Sequence, residues 1–499
     1  MPLLQISALW TRFCRLGRFS SPLLAMLLNL RSFLRPLLWT IKQSPPSIPL
    51  SLATLPPELL PEVLQYLDWD DVLRIRQVCR RLNDASFKRS VWLNIFLRHS
   101  MALPHLFRLE KPLVMHSSTE LEKLILRWKA VDKRWSVDDA QPTLHRTFTV
   151  TDKSRSCSHL LRGGRWFLAG TIHGDVQYFD LDAPIITPRT LISAPFHHNF
   201  SRDLNTNTHI RIAVDLDHNS PTLAFNIAVL IARYDRDSSD LRYVQVWHVE
   251  PERNEFGQVT GLSSRQLSSF YEEADCDICH VSLFQETIAY SIRHFYPKPP
   301  RQDLVIVKWA EANGDDLTYR RRVITHKVVD WISLIPGNRI VCGRVRTELF
   351  DIDEIPETTL VPSNISSSQR NQCVMDLNVS SISQPFLVDG STRFLFTTSG
   401  KIGGLVVHNG LPFRMEVKTL FKGSNHTVEA QLGYNHFVSF EEEQILTGGV
   451  CWGDHNIKEY MSIKKHRSYN QDERSFVDEI SGRIVITKLR GDHHTVVEF

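Results

Sequence analysis

Cysteine is scarce in this chain of 499 residues: there are eight, at irregular spacings. That is too few for a disulfide framework, so the chain is read as belonging to a reducing compartment, cytoplasm or nucleus. Net charge is also nearly absent, because 58 Lys and Arg against 55 Asp and Glu leave only +3. No global field is available to hold nucleic acid or an anionic membrane, and neither is expected as a partner. Catalytic signatures are missing as well. There is no His-Glu-x-x-His, Gly-x-Ser-x-Gly or Gly-x-x-x-x-Gly-Lys string and no strand-linked Gly-x-Gly-x-x-Gly, which leaves metalloprotease, hydrolase, P-loop and dinucleotide chemistry without their residues. No catalytic residue, metal or cofactor is assigned, and the chain is read as not being an enzyme.

What is present is the composition of a globular protein, 42% apolar and 23% charged. Residues 1–50 stand apart from the rest. They carry Arg12, Arg15, Arg18, Arg31, Arg35 and Lys42 but no Asp or Glu; without those six, 52 basic residues stand against 55 acidic ones, so the remainder is slightly acidic. The longest uncharged run of this arm, Phe19–Leu30, is about a dozen residues where a spanning helix needs roughly 20, so no membrane span is expected. Arg31 and Arg35 also interrupt it as a signal peptide. Residues 1–50 are read as a basic, flexible arm, ending in the proline-rich Ser44-Pro45-Pro46-Ser47-Ile48-Pro49.

From Leu52 to about Trp135 the apolar period is helical. Leu59, Leu60, Val63, Leu64 and Leu67 fall on one face. Asp68-Trp69-Asp70-Asp71 supplies a carboxylate cap, and Val72, Ile75, Val78, Cys79 and Leu82 carry the same spacing onward. Val91, Trp92, Ile95 and Phe96 form a third group. Ser117-Ser118-Thr119-Glu120 has the form of a capping box ahead of Leu121, Leu124, Ile125, Trp128 and Val131. Residues 51–98 are therefore expected to be a small helical module and 99–142 a helical linker, whose Ser118–Trp135 stretch would act as a stiff spacer of roughly 25 Å.

After Thr143 the pattern turns to short β runs. The clearest is Gly163 to Asp180, which reads as strand, tight turn at His173-Gly174-Asp175, strand. Related units surround Leu223–Trp247, Val281–Trp309, Trp331–Asp351, Phe386–His408, Phe437–Trp452 and Ser475–Leu489. Seven units across residues 143–499 point to a seven-bladed β-propeller-like domain; the period alone leaves a β-sandwich pair open. The fold class is thus multidomain, α plus all-β.

The run Leu55-Pro56-Pro57-Glu58-Leu59-Leu60-Pro61-Glu62-Val63-Leu64-Gln65-Tyr66-Leu67, followed by Val78-Cys79-Arg80-Arg81-Leu82 and Val91-Trp92, resembles the F-box. That resemblance implies docking on a Skp-family adaptor and, through it, a cullin, while a second domain holds an unknown protein substrate. Residue by residue, it implies that Leu55, Pro56, Leu59, Leu60, Val63, Leu64, Leu67, Leu73, Val78, Cys79, Leu82 and Trp92 build or pack the adaptor-binding face. Leu82 stands where many members carry an aromatic. A helical unit this small has little core of its own, which favours a partner surface. His173-Gly174-Asp175-Val176-Gln177-Tyr178-Phe179-Asp180 resembles the ending of a WD-repeat blade, and Leu349-Phe350-Asp351 is a weaker echo. The whole arrangement is similar to the large F-box families of mushroom-forming fungi. Its implied function is a non-enzymatic substrate receptor of a ubiquitin ligase, the alternative being a non-degradative scaffold.

Four other strings are read as structural. Cys276-x-x-Cys279-His280 offers half a zinc site, but no second pair exists, and on a strand the two sulfurs would face opposite ways. Gly400-Lys401-Ile402-Gly403-Gly404 is read as a hairpin turn. Arg320-Arg321-Arg322, with Arg344 and Arg346, has the donors for a patch that holds acidic or phosphorylated peptides, but three adjacent arginines split across both faces of a strand and are read as solvated. His493-His494 are read as exposed strand residues.

Overall fold

The structure is a computed structural model, and it describes residues 55–102, 108–135, 143–150, 157–194, 207–234, 241–272, 276–294, 301–312, 317–362, 373–388, 390–398, 401–422, 430–441, 444–449, 452, 460–465, 473–488 and 493–499. The basic arm expected over residues 1–50 lies outside them. Among the described residues no helix is long and apolar enough to cross a membrane. The chain divides into two compact units, Met1–Leu103 with His116–Leu126 and Pro104–Met115 with Arg127–Phe499. The expected linker is therefore shared between the two.

The first unit holds helices α1 (Leu59–Leu64), α2 (Trp69–Arg76), α3 (Arg80–Ser86), α4 (Arg89–Ala102) and the start of α5 (Ser118–Trp135). The Ser117 capping box forms: the Ser117 amide donates to Glu120 at 2.7 Å and the Glu120 amide donates to Ser117 Oγ at 3.2 Å. Asp68 sits at the N-cap of α2, yet its carboxylate makes no capping hydrogen bond. The continuous spacing from Val72 to Leu82 is in fact broken. Gln77 and Val78 close tight turns onto the Arg74 and Ile75 carbonyls, and Cys79 turns extended as the N-cap of α3. The core is built from Leu60, Leu64, Val72, Trp92, Ile95, Phe96, Leu121 and Ile125, all nearly inaccessible. A bidentate ion pair between Arg76 and Glu122, at 2.7 and 3.1 Å, adds a charged clasp.

In the second unit, seven antiparallel sheets follow one another along the described chain. Numbered in chain order, they begin with the strands Ser158–Leu160, Asn207–Leu216, Cys276–Phe284, Trp331–Ile335, Ser381–Ile382, Ala430–Leu432 and Glu473–Asp478. Each sheet contains one of the seven β units read from the sequence. The turn at His173-Gly174-Asp175 forms between Trp166–Gly170 and Val176–Asp180, with Gly174 at φ 90°, a conformation that suits glycine.

Apolar side chains join each sheet to the next. Phe225 and Trp166 share a cluster between sheets 1 and 2, and Val244 meets Tyr290 between 2 and 3. Leu304 meets Ile340 between sheets 3 and 4, Trp331 meets Phe394 between 4 and 5, and Leu420 meets Phe437 between 5 and 6. Val438 meets Ile484 between sheets 6 and 7, and Phe148 and Val485 on sheet 7 meet Phe167 on sheet 1. The sheets therefore form a closed ring. Closure is reinforced by strand pairing between segments distant in sequence: Leu144–Thr149 pairs in register with His493–Glu498, from Leu144↔Glu498 to Thr149↔His493, as the outer strand of sheet 7. This all-β ring of successive meanders resembles a β-propeller.

Two sequence readings change here. Gly403 and Gly404 lie inside the strand Lys401–His408, not in a turn. A Cβ on them would fall 2.2 Å from Phe396 Cζ and 2.6 Å from Trp452 Cζ3, so large rings require them to be glycine. His494 is buried and stacks on Phe148 at 5.1 Å, while His493 is exposed as expected.

Candidate functional site

Twelve residues were expected to build or pack one face of the helical module, and the structure divides them. Leu60, Leu64, Leu67, Leu82 and Trp92 are buried and hold the helices together. Leu55, Val63, Leu73 and Cys79 are half-buried, and Pro56 is exposed. Leu59 and Val78 are 41% and 62% exposed, large values for apolar side chains in a module whose core is otherwise closed. Tyr66 and Phe87 are also exposed and were not picked out from the sequence. Tyr66 follows the end of α1 and Phe87 the end of α3, where the helical period no longer assigns a side chain to a face. Arg98 donates to the Tyr66 carbonyl at 3.0 Å and to the Gln65 carbonyl at 3.1 Å, which pins the chain just after α1.

In the β unit, a cavity of about 300 Å³ opens among the first strands of sheets 1 to 5, lined among others by His159, Arg162, Asp215, Ser282, Ser333 and Gln384. Burial pushes the Asp215 carboxyl up to about 6, even though it accepts a 2.6 Å hydrogen bond from the Gln285 amide. Burial, then the neighbouring Arg162 charge, pulls His159 down to about 4, so its imidazole is neutral at pH 7. Burial also lowers Arg162 from the ordinary guanidinium value, without removing its charge.

The Asp215 shift has a stability consequence. Its folded value lies above the model-peptide 3.8, so the folded state holds the proton more tightly and this contribution is lost as pH rises from about 4 through 6. Asp215→Asn, which keeps an oxygen for the Gln285 amide, should stabilise the chain by about 1–2 kcal/mol at pH 8 and leave it unchanged near pH 4. Thermal unfolding at the two pH values checks this, and a variant no more stable than the parent at pH 8 would refute it.

The remaining sequence candidates resolve into structural roles. Arg321 is fully buried, contrary to its reading as solvated, and pairs with Glu272 at 2.8 Å. The Glu272 carboxylate also accepts from the phenols of Tyr290 and Tyr319, the latter at 3.1 Å. Arg320 is exposed and Arg322 pairs with Glu357 at 2.9 Å. A bulge at Ile278/His280 interrupts the strand at Cys279; Cys276 packs in the core and Cys279 stays half-buried. No group of three or more His, Cys, Asp or Glu able to hold a metal is found among the described residues.

With both units described, comparison with known proteins places the helical module. Residues 52–98 match the F-box-like family. The chain thus carries an F-box-like domain followed by an all-β domain resembling a β-propeller. Among solved structures it is similar to the β-propeller domain of Cps50 (Swd1) from Myceliophteria thermophila, with 11% identity over 72% of this chain and 99% of that one and a TM-score of 0.44. No curated protein matches the chain.

Proposed function

We propose that this chain is the substrate-receptor subunit of a Skp–cullin–F-box ubiquitin ligase, acting in the cytoplasm or nucleus. The observation that carries it is the F-box-like match at residues 52–98, on a module whose Leu59 and Val78 stay out of its own core. Leu55, Pro56, Leu59, Val63, Leu73, Val78 and Cys79 would touch the Skp-family adaptor, while Leu60, Leu64, Leu67, Leu82 and Trp92 hold the helices that present them. Through the adaptor the chain would reach a cullin, and the β domain would hold a target protein. Tethering raises the effective concentration of the target's lysines near the ubiquitin-carrying enzyme, so the chain itself needs no bond chemistry.

The test is co-purification. The full chain should capture a Skp-family adaptor, and Leu59→Asp with Val78→Asp should reduce capture at least tenfold while circular dichroism stays unchanged, because both side chains lie outside the core. Full capture by that variant would reject the assignment. Bound targets should also live longer when the chain is removed; unchanged half-lives for all of them would leave an adaptor-binding scaffold.

A further inference from the structure

The cavity of about 300 Å³ lies at the end of the ring where first strands turn into second ones. Leu216 ends Asn207–Leu216, Phe284 ends Cys276–Phe284, and Arg162 stands just past Ser158–Leu160. Leu216, Phe284, Ile332 and Leu387, one from each of sheets 2 to 5, give the cavity half-buried apolar walls.

One acidic group in this lining has no cation of its own. Asp215 accepts a single hydrogen bond, from the Gln285 amide to Oδ2 at 2.6 Å, and no ion pair reaches it among the described residues. Its Oδ1 is left without a protein donor. Arg162 lines the same cavity but does not fill that role. Beyond the effect of burial, the Arg162 charge feels Asp478 and Glu479 more strongly than Asp215. Beyond burial and the Gln285 bond, Asp215 feels the like charge of Asp217 more than it feels Arg162. His159 is neutral at pH 7, and burial, then the Arg108 and Arg162 charges, hold His218 below the ordinary histidine range, so neither supplies a cation. A carboxylate drawn out of water with an oxygen unmatched is costly to keep, and a bound cation offsets that cost.

We propose that this cavity binds a primary ammonium group on an aliphatic stem, with Asp215 as the counter-charge, presented either by a lysine of a bound protein or by a small free amine. The apolar walls take the stem, and the open Oδ1 takes the ammonium. A guanidinium fork is matched by two free carboxylate oxygens, and Oδ2 is already engaged by Gln285, so the compact ammonium is the better fit. The volume is at the small end of ligand pockets and suits one such side chain. The site belongs to the β domain alone, so it stands or falls independently of adaptor docking.

The experiment uses the full chain and three probes: a labelled peptide of alternating Gly and Lys, the same peptide with every lysine acetylated, and n-butylamine. If a protein supplies the ammonium, the Lys peptide binds at least tenfold more tightly than its acetylated form at pH 7.5. If a free amine supplies it, butylamine binds and the peptides do not. In either case Asp215→Asn lowers affinity at least tenfold. That variant is expected to be no less stable than the parent at this pH, and thermal unfolding verifies that it is folded. Affinity should also rise severalfold between pH 5 and 7.5, as Asp215 gives up its proton through about 6, and Asp215→Asn should lose that rise while Asp217, Arg162 and His218 remain beside the site. Comparison of the two peptides needs no variant, so it holds whatever Asp215→Asn does to folding. Binding of neither the Lys peptide nor butylamine, equal binding of the two peptides, or undiminished binding by the folded Asp215→Asn chain would overturn the proposal.

Discussion

Replacing Arg321 by methionine will destabilise the β domain by about 3–5 kcal/mol, the largest single effect expected in that unit. Arg321 and Glu272 both have 0% exposed side chains and lie 2.8 Å apart. Methionine fills much of the same volume, so the loss comes from removing the guanidinium that faces a buried carboxylate, among whose other partners are the phenols of Tyr290 and Tyr319. Those phenols cannot ionise to any useful extent, since burial and then the Glu272 charge raise them well above their ordinary range. The double variant Arg321→Met with Glu272→Gln should recover most of the stability, because the amide oxygen still accepts from the phenols and no lone charge is left. Unfolding of the full chain in urea, followed for both variants, is the measurement. A loss below about 1 kcal/mol for the single variant, or no recovery in the double, would show that this cluster is better hydrated than its burial implies.

Trp92→Ala will cost the helical module about 3–5 kcal/mol and abolish its cooperative folding. The indole is completely inaccessible, and its Nε1 donates to the Ser86 carbonyl at 2.9 Å, so the substitution opens a cavity and orphans a buried oxygen together. A module this small has little other core to absorb that loss. Adaptor capture should disappear along with protection of the α4 amides from hydrogen exchange. The contrast with Leu59→Asp and Val78→Asp is the informative part: under the proposed docking, that variant should lose capture and keep protection. Persistence of α4 protection in Trp92→Ala would mean that the indole is not the keystone its burial suggests.

How much of this was visible in the chain depends on how local each feature is. The module was legible because its helices are contiguous, and Leu59 to Leu67 and Leu121 to Val131 show their buried face in the 3.6-residue period alone. The break between α2 and α3 was not, because Val78 fits the helical spacing while standing exposed in a turn. In the β region, alternation and turn residues located all seven units. Parity could not say which arginine of Arg320-Arg321-Arg322 points inward, since that is decided by Glu272, 49 residues earlier. Arg162 and Asp215 were invisible for a related reason. Each sits at or beside the end of a first strand, and their shared cavity exists only after sheets far apart in sequence have been brought round one axis.

The pairing of Leu144–Thr149 with His493–Glu498 also bears on how the protein is made. During synthesis, residues 144–149 emerge early and must wait for a partner until nearly 350 residues more have been translated. Through that interval the ring lacks its last joint: the apolar flank of sheet 1 around Phe167 and Phe179 has no Val485 or Val496 to cover it, and the strand that carries Phe148 has no partner to hold it there. Such a long-range step is slow and exposes sticky surface, which makes the final strand a timing device. Ribosome-bound chains halted before His493 should remain protease-sensitive in the first sheet, and release of the last strand should seal the whole ring at once.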